Sequence, residues 1–174
     1  MKQDATLRVS EGKLLWEPAD YLGGDPNIIS YLRWLNSNRG LEFSGYEDLW
    51  SWSTSDLDGF WSSILEFFQV KYHGSYERVI SGTEMPGVEW FKGAYLNYSE
   101  NALSRRDDHP ALVSWSESRP QSTLSYLELY RQTAACAAGL RKLGVVRGDR
   151  VVAVMPNISE TVVAFLATAS IGAI

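Results

Sequence analysis

Trp90-Phe91-Lys92-Gly93-Ala94-Tyr95-Leu96-Asn97-Tyr98-Ser99-Glu100-Asn101 separates two compositions. Before it the chain is aromatic-rich with helical periodicity; after it the pattern is that of an opening α/β sheet. Trp90 and Phe91 read as buried anchors, and Gly93 permits a tight backbone bend. Asn97 with an acidic residue three positions on, Glu100, predicts an N-cap and a helix ending near Arg105. The run holds no nucleophile–base pair, no metal-ligand cluster and no phosphate loop, so its residues predict structural work rather than chemistry.

Bulk properties narrow the function classes. Hydrophobic residues make up 45% and charged residues 21% of 174, a globular rather than a disordered composition. The net charge of −5 and the scattered basic residues, of which only Arg105 and Arg106 are adjacent, argue against a nucleic-acid surface. A local basic pocket for ATP or coenzyme A stays compatible with that charge. Cys136 is the one cysteine, so no disulfide framework forms within the chain, which suits a reducing compartment. Its setting among Ala134, Ala135, Ala137 and Ala138 favours a packed apolar residue over a reactive thiol. Met1 to Ser10 lacks the apolar core of a signal peptide. The run Val162 to Ile174 is broken by Thr168, Ser170 and Gly172 and falls short of the ~18 apolar residues of a membrane span. The expectation is a soluble, cytoplasmic protein with no membrane partner.

Toward the N-terminus, Leu14 to Pro18 predicts an extended anchor. Asp25 as N-cap and Pro26 as first helical residue predict a helix whose stripe is Ile28, Ile29, Leu32 and Leu35, ended by Gly40. Ser44 and Glu47 read as a capping box for a short helix through Leu49, Trp50 and Trp52. Ser55 to Asp58 starts the next, with Leu57, Phe60, Trp61, Ile64 and Phe68 on one face. An aromatic ladder can stack nucleic-acid bases, but helical periodicity without interleaved basic residues favours a buried core. Tyr72 to Gly87 reads as irregular, with a short strand at Val79-Ile80, a turn at Met85-Pro86-Gly87, and His73 as a solvated loop residue.

Toward the C-terminus, Asp107, Asp108 and His109 resemble part of a metal site, but no further ligand is spaced to complete it, so they read as a loop. Ala111 to Trp115 and Ser122 to Leu124 predict a hairpin. Ser125 and Glu128 predict a capping box for a helix to about Leu143, with Leu127, Tyr130, Ala134, Ala137, Leu140 and Leu143 inward and Gly144 as stop. Arg150 to Met155 reads as a strand apolar on both faces, which belongs inside a sheet covered on both sides. A last helix spans about Ile158 to Ile171, and Gly172-Ala173-Ile174 is where the next parallel strand is expected. Residues 111–174 are therefore expected to be the first part of a larger sheet whose open edge, Val151 to Val154, seeks the rest of the chain or another copy.

The Trp90–Asn101 run, Leu49 to Ser53 with Phe60-Trp61, Met85-Pro86, Gly148 to Ala153, Met155-Pro156-Asn157 and Ile171-Gly172-Ala173 resemble the acetoacetyl-CoA synthetase branch of the adenylate-forming acyl-CoA synthetases. Acetyl- and propionyl-CoA synthetases are similar too, but typically carry glycine at the position of Ala94 and Cys-Leu-Asp where this chain has Ala102-Leu103-Ser104. The resemblance implies an α/β (α+β overall) fold: a helical, aromatic-rich N-terminal extension over residues 1–105, then the hairpin-α-β-α opening of the AMP-binding domain over 106–174, incomplete. It implies a two-step ligase that uses ATP, Mg²⁺ and coenzyme A and passes through an acyl-adenylate. That chemistry needs a Gly/Ser/Thr-rich phosphate loop and a mobile catalytic lysine. None of Lys2, Lys13, Lys71, Lys92 and Lys142 follows such a loop. No catalytic, cofactor-binding or metal residue is assigned, the chain alone is expected to be inactive, and no tightly bound cofactor is expected. The alternatives are a non-catalytic interaction module or part of an acetyl/propionyl-CoA synthetase.

Overall fold

The computed structural model describes residues 10–13, 26–82 and 84–174. Leu14 to Pro18, expected as an extended anchor, and Asp25, expected as a cap, lie outside them. The chain divides into two compact units, Met1–Asp48 and Leu49–Ile174.

In the first unit, α1 spans Asn27–Arg39. Its cap position is Pro26, whose carbonyl accepts from Ile29 N at 2.9 Å and Ser30 N at 3.3 Å, so the helix starts one residue later than expected. Gly40, in the left-handed conformation, closes it as expected. The buried line is Tyr31 and Leu35, while Ile28 is exposed, so the inward stripe is turned from the predicted one. Helix α2, Tyr46–Ser55, crosses the division between the units. The acid that reaches back at its start is Asp48, not Glu47: its carboxylate accepts from Ser44 N at 3.0 Å and from the Ser44 hydroxyl. A helix that begins at Tyr46 puts Asp48 at its third position, where a carboxylate reaches the preceding backbone.

The second unit continues with α3, Leu57–Phe67, which starts within Ser55 to Asp58 as expected and is capped by Asp56. One oxygen of Asp56 accepts from Gly59 N at 2.9 Å and the other from Trp52 Nε1 at 3.1 Å, so one carboxylate caps α3 and holds the end of α2. The predicted aromatic core is not buried. Trp52, Phe60, Trp61 and Trp90 form a chain of edge-to-face contacts with centroids 5.2–5.8 Å apart, yet Trp61 is 40% exposed and Trp90 47%. The residue of α3 that is buried is Ser63.

Short antiparallel pairs follow. Strand β1, His73–Gly74, pairs with β4, Ala94–Tyr95; β2, Ile80–Ser81, pairs with β3, Glu89–Trp90. His73 is thus a strand residue rather than a loop residue, and the predicted strand at Val79-Ile80 sits one residue later. Phe91 turns at φ 44°, its N–H donating to Val79 O at 2.7 Å, and Gly93 follows at φ 95°. A Cβ on Gly93 would overlap the Ser75 carbonyl oxygen, so glycine is required there by both conformation and space.

Helix α4 is short, Tyr98–Ala102, and stops before Arg105. The hairpin β5 (Pro110–Ser114) and β6 (Ser122–Ser125) leads directly into α5, Tyr126–Lys142. The Ser125–Glu128 capping box forms as expected. The inward face of α5 is Leu129, Thr133 and Ala137; of the predicted line Ala137 is buried, Leu127, Tyr130 and Leu140 are half-buried, and Ala134 and Leu143 are exposed. Leu103, Leu129, Val163 and Leu166 make the core, with Leu112 and Leu124 of the hairpin packed against it. The last helix, α6, spans Ser159–Ile171; it is apolar almost all round and packs on both α4 and α5.

Residues 151–155 pair with no strand among the described residues, and Val152 and Val154 are 87% and 99% exposed. The strand expected at Arg150 to Met155 is thus not formed, though its start is held by two bonds to Ile174. Ile174 N donates to Asp149 O at 2.7 Å and Val151 N donates to Ile174 O at 2.7 Å. Bonds to the residues on either side of Arg150 are the pattern of a parallel ladder. These two bonds are all that the described residues show of the expected pairing.

Two predictions follow from these contacts. Gly93→Ala costs about 2–4 kcal/mol in a urea melt, from the positive φ and the clash with Ser75. The Ser125 backbone N–H and hydroxyl hold the Glu128 carboxyl below the usual range. A carboxylate depressed in the folded state contributes stability above its unfolded pKa that is lost as pH falls through the folded value. Glu128→Ala therefore lowers Tm at neutral pH, and the gap to wild type closes below about pH 4.

Candidate functional site

The densest polar connections of the second unit converge on α4, the helix that the Trp90–Asn101 run was expected to start. Asn97 Oδ1 accepts from Glu100 N at 3.2 Å, which is the predicted cap. Its Nδ2 donates to Ala169 O of α6 at 2.9 Å. One turn on, Asn101 Oδ1 accepts from Lys71 N at 2.8 Å and its Nδ2 donates to Lys71 O at 3.0 Å. The Asn101 amide thus replaces a neighbouring strand for Lys71. Glu100 does not complete a capping box; its Oε2 lies 2.8 Å from His73 Nε2. Helix α4 is pinned to the 71–73 segment by Glu100 and Asn101 and to α6 by Asn97.

Beside α4 lies a cavity of about 880 Å³, whose walls include His73, Ser99, Glu100, Arg106, Tyr130 and Arg147. The Arg106 guanidinium sits 3.9 Å from the centroid of the Tyr130 ring. The Arg147 stem passes over Gly172, where a Cβ would stand 3.1 Å from Arg147 Cγ. Nearby, Arg105 Nε donates to both oxygens of Asp107 at 2.8 Å; this bond holds the Asp107 carboxyl below its usual range and raises Arg105.

The residues weighed as reactive take structural places. Cys136 packs against the core. Asp107 engages Arg105 and the His109 backbone N–H, and among the described residues no three His, Cys, Asp or Glu side chains are grouped to hold a metal. Sequence reasoning missed the pairing of His73 with Glu100 and the two-way bond of Asn101. The usable signal for Asn101 was its i,i+4 spacing from Asn97, which puts both amides on one side of a helical turn.

Comparison with known proteins fits this architecture. Residues 46–102 match the family described as acetyl-coenzyme A synthetase N-terminus, and residues 99–174 match the AMP-binding enzyme family. The two matches lie end to end, a synthetase N-terminal segment followed by the start of an AMP-binding segment. More narrowly, the chain is similar to acetoacetyl-CoA synthetases along nearly its whole length. That of Xenopus tropicalis is 36% identical over 183 residues, which cover 99% of this chain and 26% of the relative. That of Rhizobium meliloti is 31% identical, covering 92% of this chain and 25% of the relative. The solved acetoacetyl-CoA synthetase from Streptomyces lividans superposes with a TM-score of 0.82 at 40% identity, over 93% of this chain and 26% of that one. The chain spans about a quarter of the length of these relatives.

Asn97→Ala removes a cap worth about 1 kcal/mol and an interhelical bond worth about 1 kcal/mol, so denaturant unfolding shows a loss near 2 kcal/mol. Asn97→Asp keeps the cap acceptor but loses the donor to Ala169, and is expected to fall between the alanine variant and wild type.

Proposed function

We propose that these residues are the N-terminal portion of an ATP-dependent acetoacetate–CoA ligase. Residues 1–105 are its helical extension and residues 106–174 the opening of its adenylating domain. In the whole enzyme acetoacetate attacks the α-phosphate of ATP with Mg²⁺, giving acetoacetyl-adenylate and diphosphate. The thiol of coenzyme A then displaces AMP to give acetoacetyl-CoA. The observation that carries this reading is the identity of 34–37% to vertebrate acetoacetyl-CoA synthetases over nearly the whole chain.

In this reading the ATP and Mg²⁺ site belongs to the rest of the enzyme. No lysine follows a Gly/Ser/Thr-rich loop, and no three His, Cys, Asp or Glu of the described residues are grouped for a metal. Their contribution is positional: α4 and its amide bonds hold α6 and the first rung of the sheet in place. The partner of this portion is the rest of the synthetase, added along residues 151–155, where the exposure of Val152 and Val154 supports the reading. The compartment proposed is the cytoplasm; no helix of the described residues is long and apolar enough to cross a membrane.

The purified chain is expected to give no acetoacetate-dependent ATP–diphosphate exchange and no acetoacetyl-CoA. The product of a reading frame continuing past Ile174 is expected to give both. Formation of acetoacetyl-CoA by the 174 residues alone overturns the positional role, and a preference of the longer product for acetate over acetoacetate overturns the substrate.

A further inference from the structure

The cavity beside α4 has a charge pattern that structural work does not require. The chain as a whole carries −5, yet the cavity wall presents Arg106 and Arg147 against a single carboxylate, Glu100, which already faces His73. Among the described residues neither arginine forms an ion pair. Each is instead held by contacts that leave its charge uncompensated. Arg106 lies on the face of Tyr130, with Nε 3.5 Å from Leu103 O. Arg147 leans its stem on the bare backbone of Gly172. A cation fixed through its ring contact or stem has already lost part of the freedom that binding would otherwise cost. The same wall contains Ser99, 1% exposed, whose hydroxyl has no hydrogen-bond partner among the described residues. A buried donor left open is uncommon and gains a bond when an acceptor is seated against it.

We propose that this cavity binds a small phosphate-bearing anion of the diphosphate type. Two guanidinium forks match phosphate oxygens two at a time. A volume of about 880 Å³ admits more than a single phosphate. The one carboxylate of the wall, Glu100, is engaged by His73 at 2.8 Å. The proposal rests on the charges and shape of the cavity and is independent of the ligase reading.

The test is calorimetric titration of the 174-residue chain with inorganic diphosphate, with sodium chloride at matched ionic strength as the blank. The expected result is saturable one-to-one binding that weakens with added salt and falls at least about tenfold in Arg147→Gln and in Arg106→Gln. Near-UV circular dichroism checks that the variants keep their fold. Arg147 lies in the exposed turn after α5, so Arg147→Gln carries the test if removing the Tyr130 stack disturbs Arg106→Gln. Absence of saturable heat to about 10 mM diphosphate, or equal binding by wild type and a folded Arg147→Gln, overturns the proposal.

Discussion

A helix of five residues has no stability of its own, because nucleating a turn fixes several residues for one hydrogen bond. Helix α4 exists because side-chain amides on its one turn have fixed partners on both sides. Asn101 occupies both backbone groups of Lys71, and Asn97 binds the carbonyl of Ala169, 72 residues away in sequence. These bonds set where the 71–95 strands end and where the α5–α6 layer begins. Leu103, at the C-cap of α4, then enters the core with Leu129, Val163 and Leu166. Polar bonds position the turn and apolar burial holds it there.

What was legible in the sequence follows from how far each signal reaches. The Asn97 cap, the Ser125–Glu128 box, the bend at Gly93 and the stop at Gly40 are each decided within four residues, and each forms. Face assignments depend on which neighbour an element meets, and they slip. The inward line of α5 is Leu129–Thr133–Ala137 because α6 and the hairpin approach from that side, although Tyr130 and Ala134 satisfy the same periodicity. Trp61 and Trp90 read as buried because large aromatics usually are, but their edge-to-face chain runs along a surface. The strand expected at Arg150 to Met155 does not form among the described residues, because pairing belongs to two strands at once and only the Asp149–Ile174–Val151 bonds are made.

The candidate cavity was the least legible feature, since its arginines come from distant places and neither lies in a motif. Arg106 reads as one half of an Arg105-Arg106 pair, yet the two diverge: Arg105 turns to Asp107 and Arg106 to Tyr130. Arg147 reads as a turn residue and acquires its setting only when α6 ends at Gly172 beside it. Charge carried on turns is assigned to a site by tertiary structure alone. An acidic net charge therefore excluded a broad basic surface but said nothing about a local one.

The apolar character of α6 bears on the proposed reading more directly than any single motif. A helix apolar all round is built to be covered on every side. Here Val163, Leu166 and Ala167 are buried, while Phe165 is exposed and its ring meets that of Tyr98. Val152 and Val154, in the segment that precedes the helix, are exposed too. Burying a valine or phenylalanine side chain is worth about 1.5–3 kcal/mol, so these positions hold several kcal/mol that the described contacts leave unrealised.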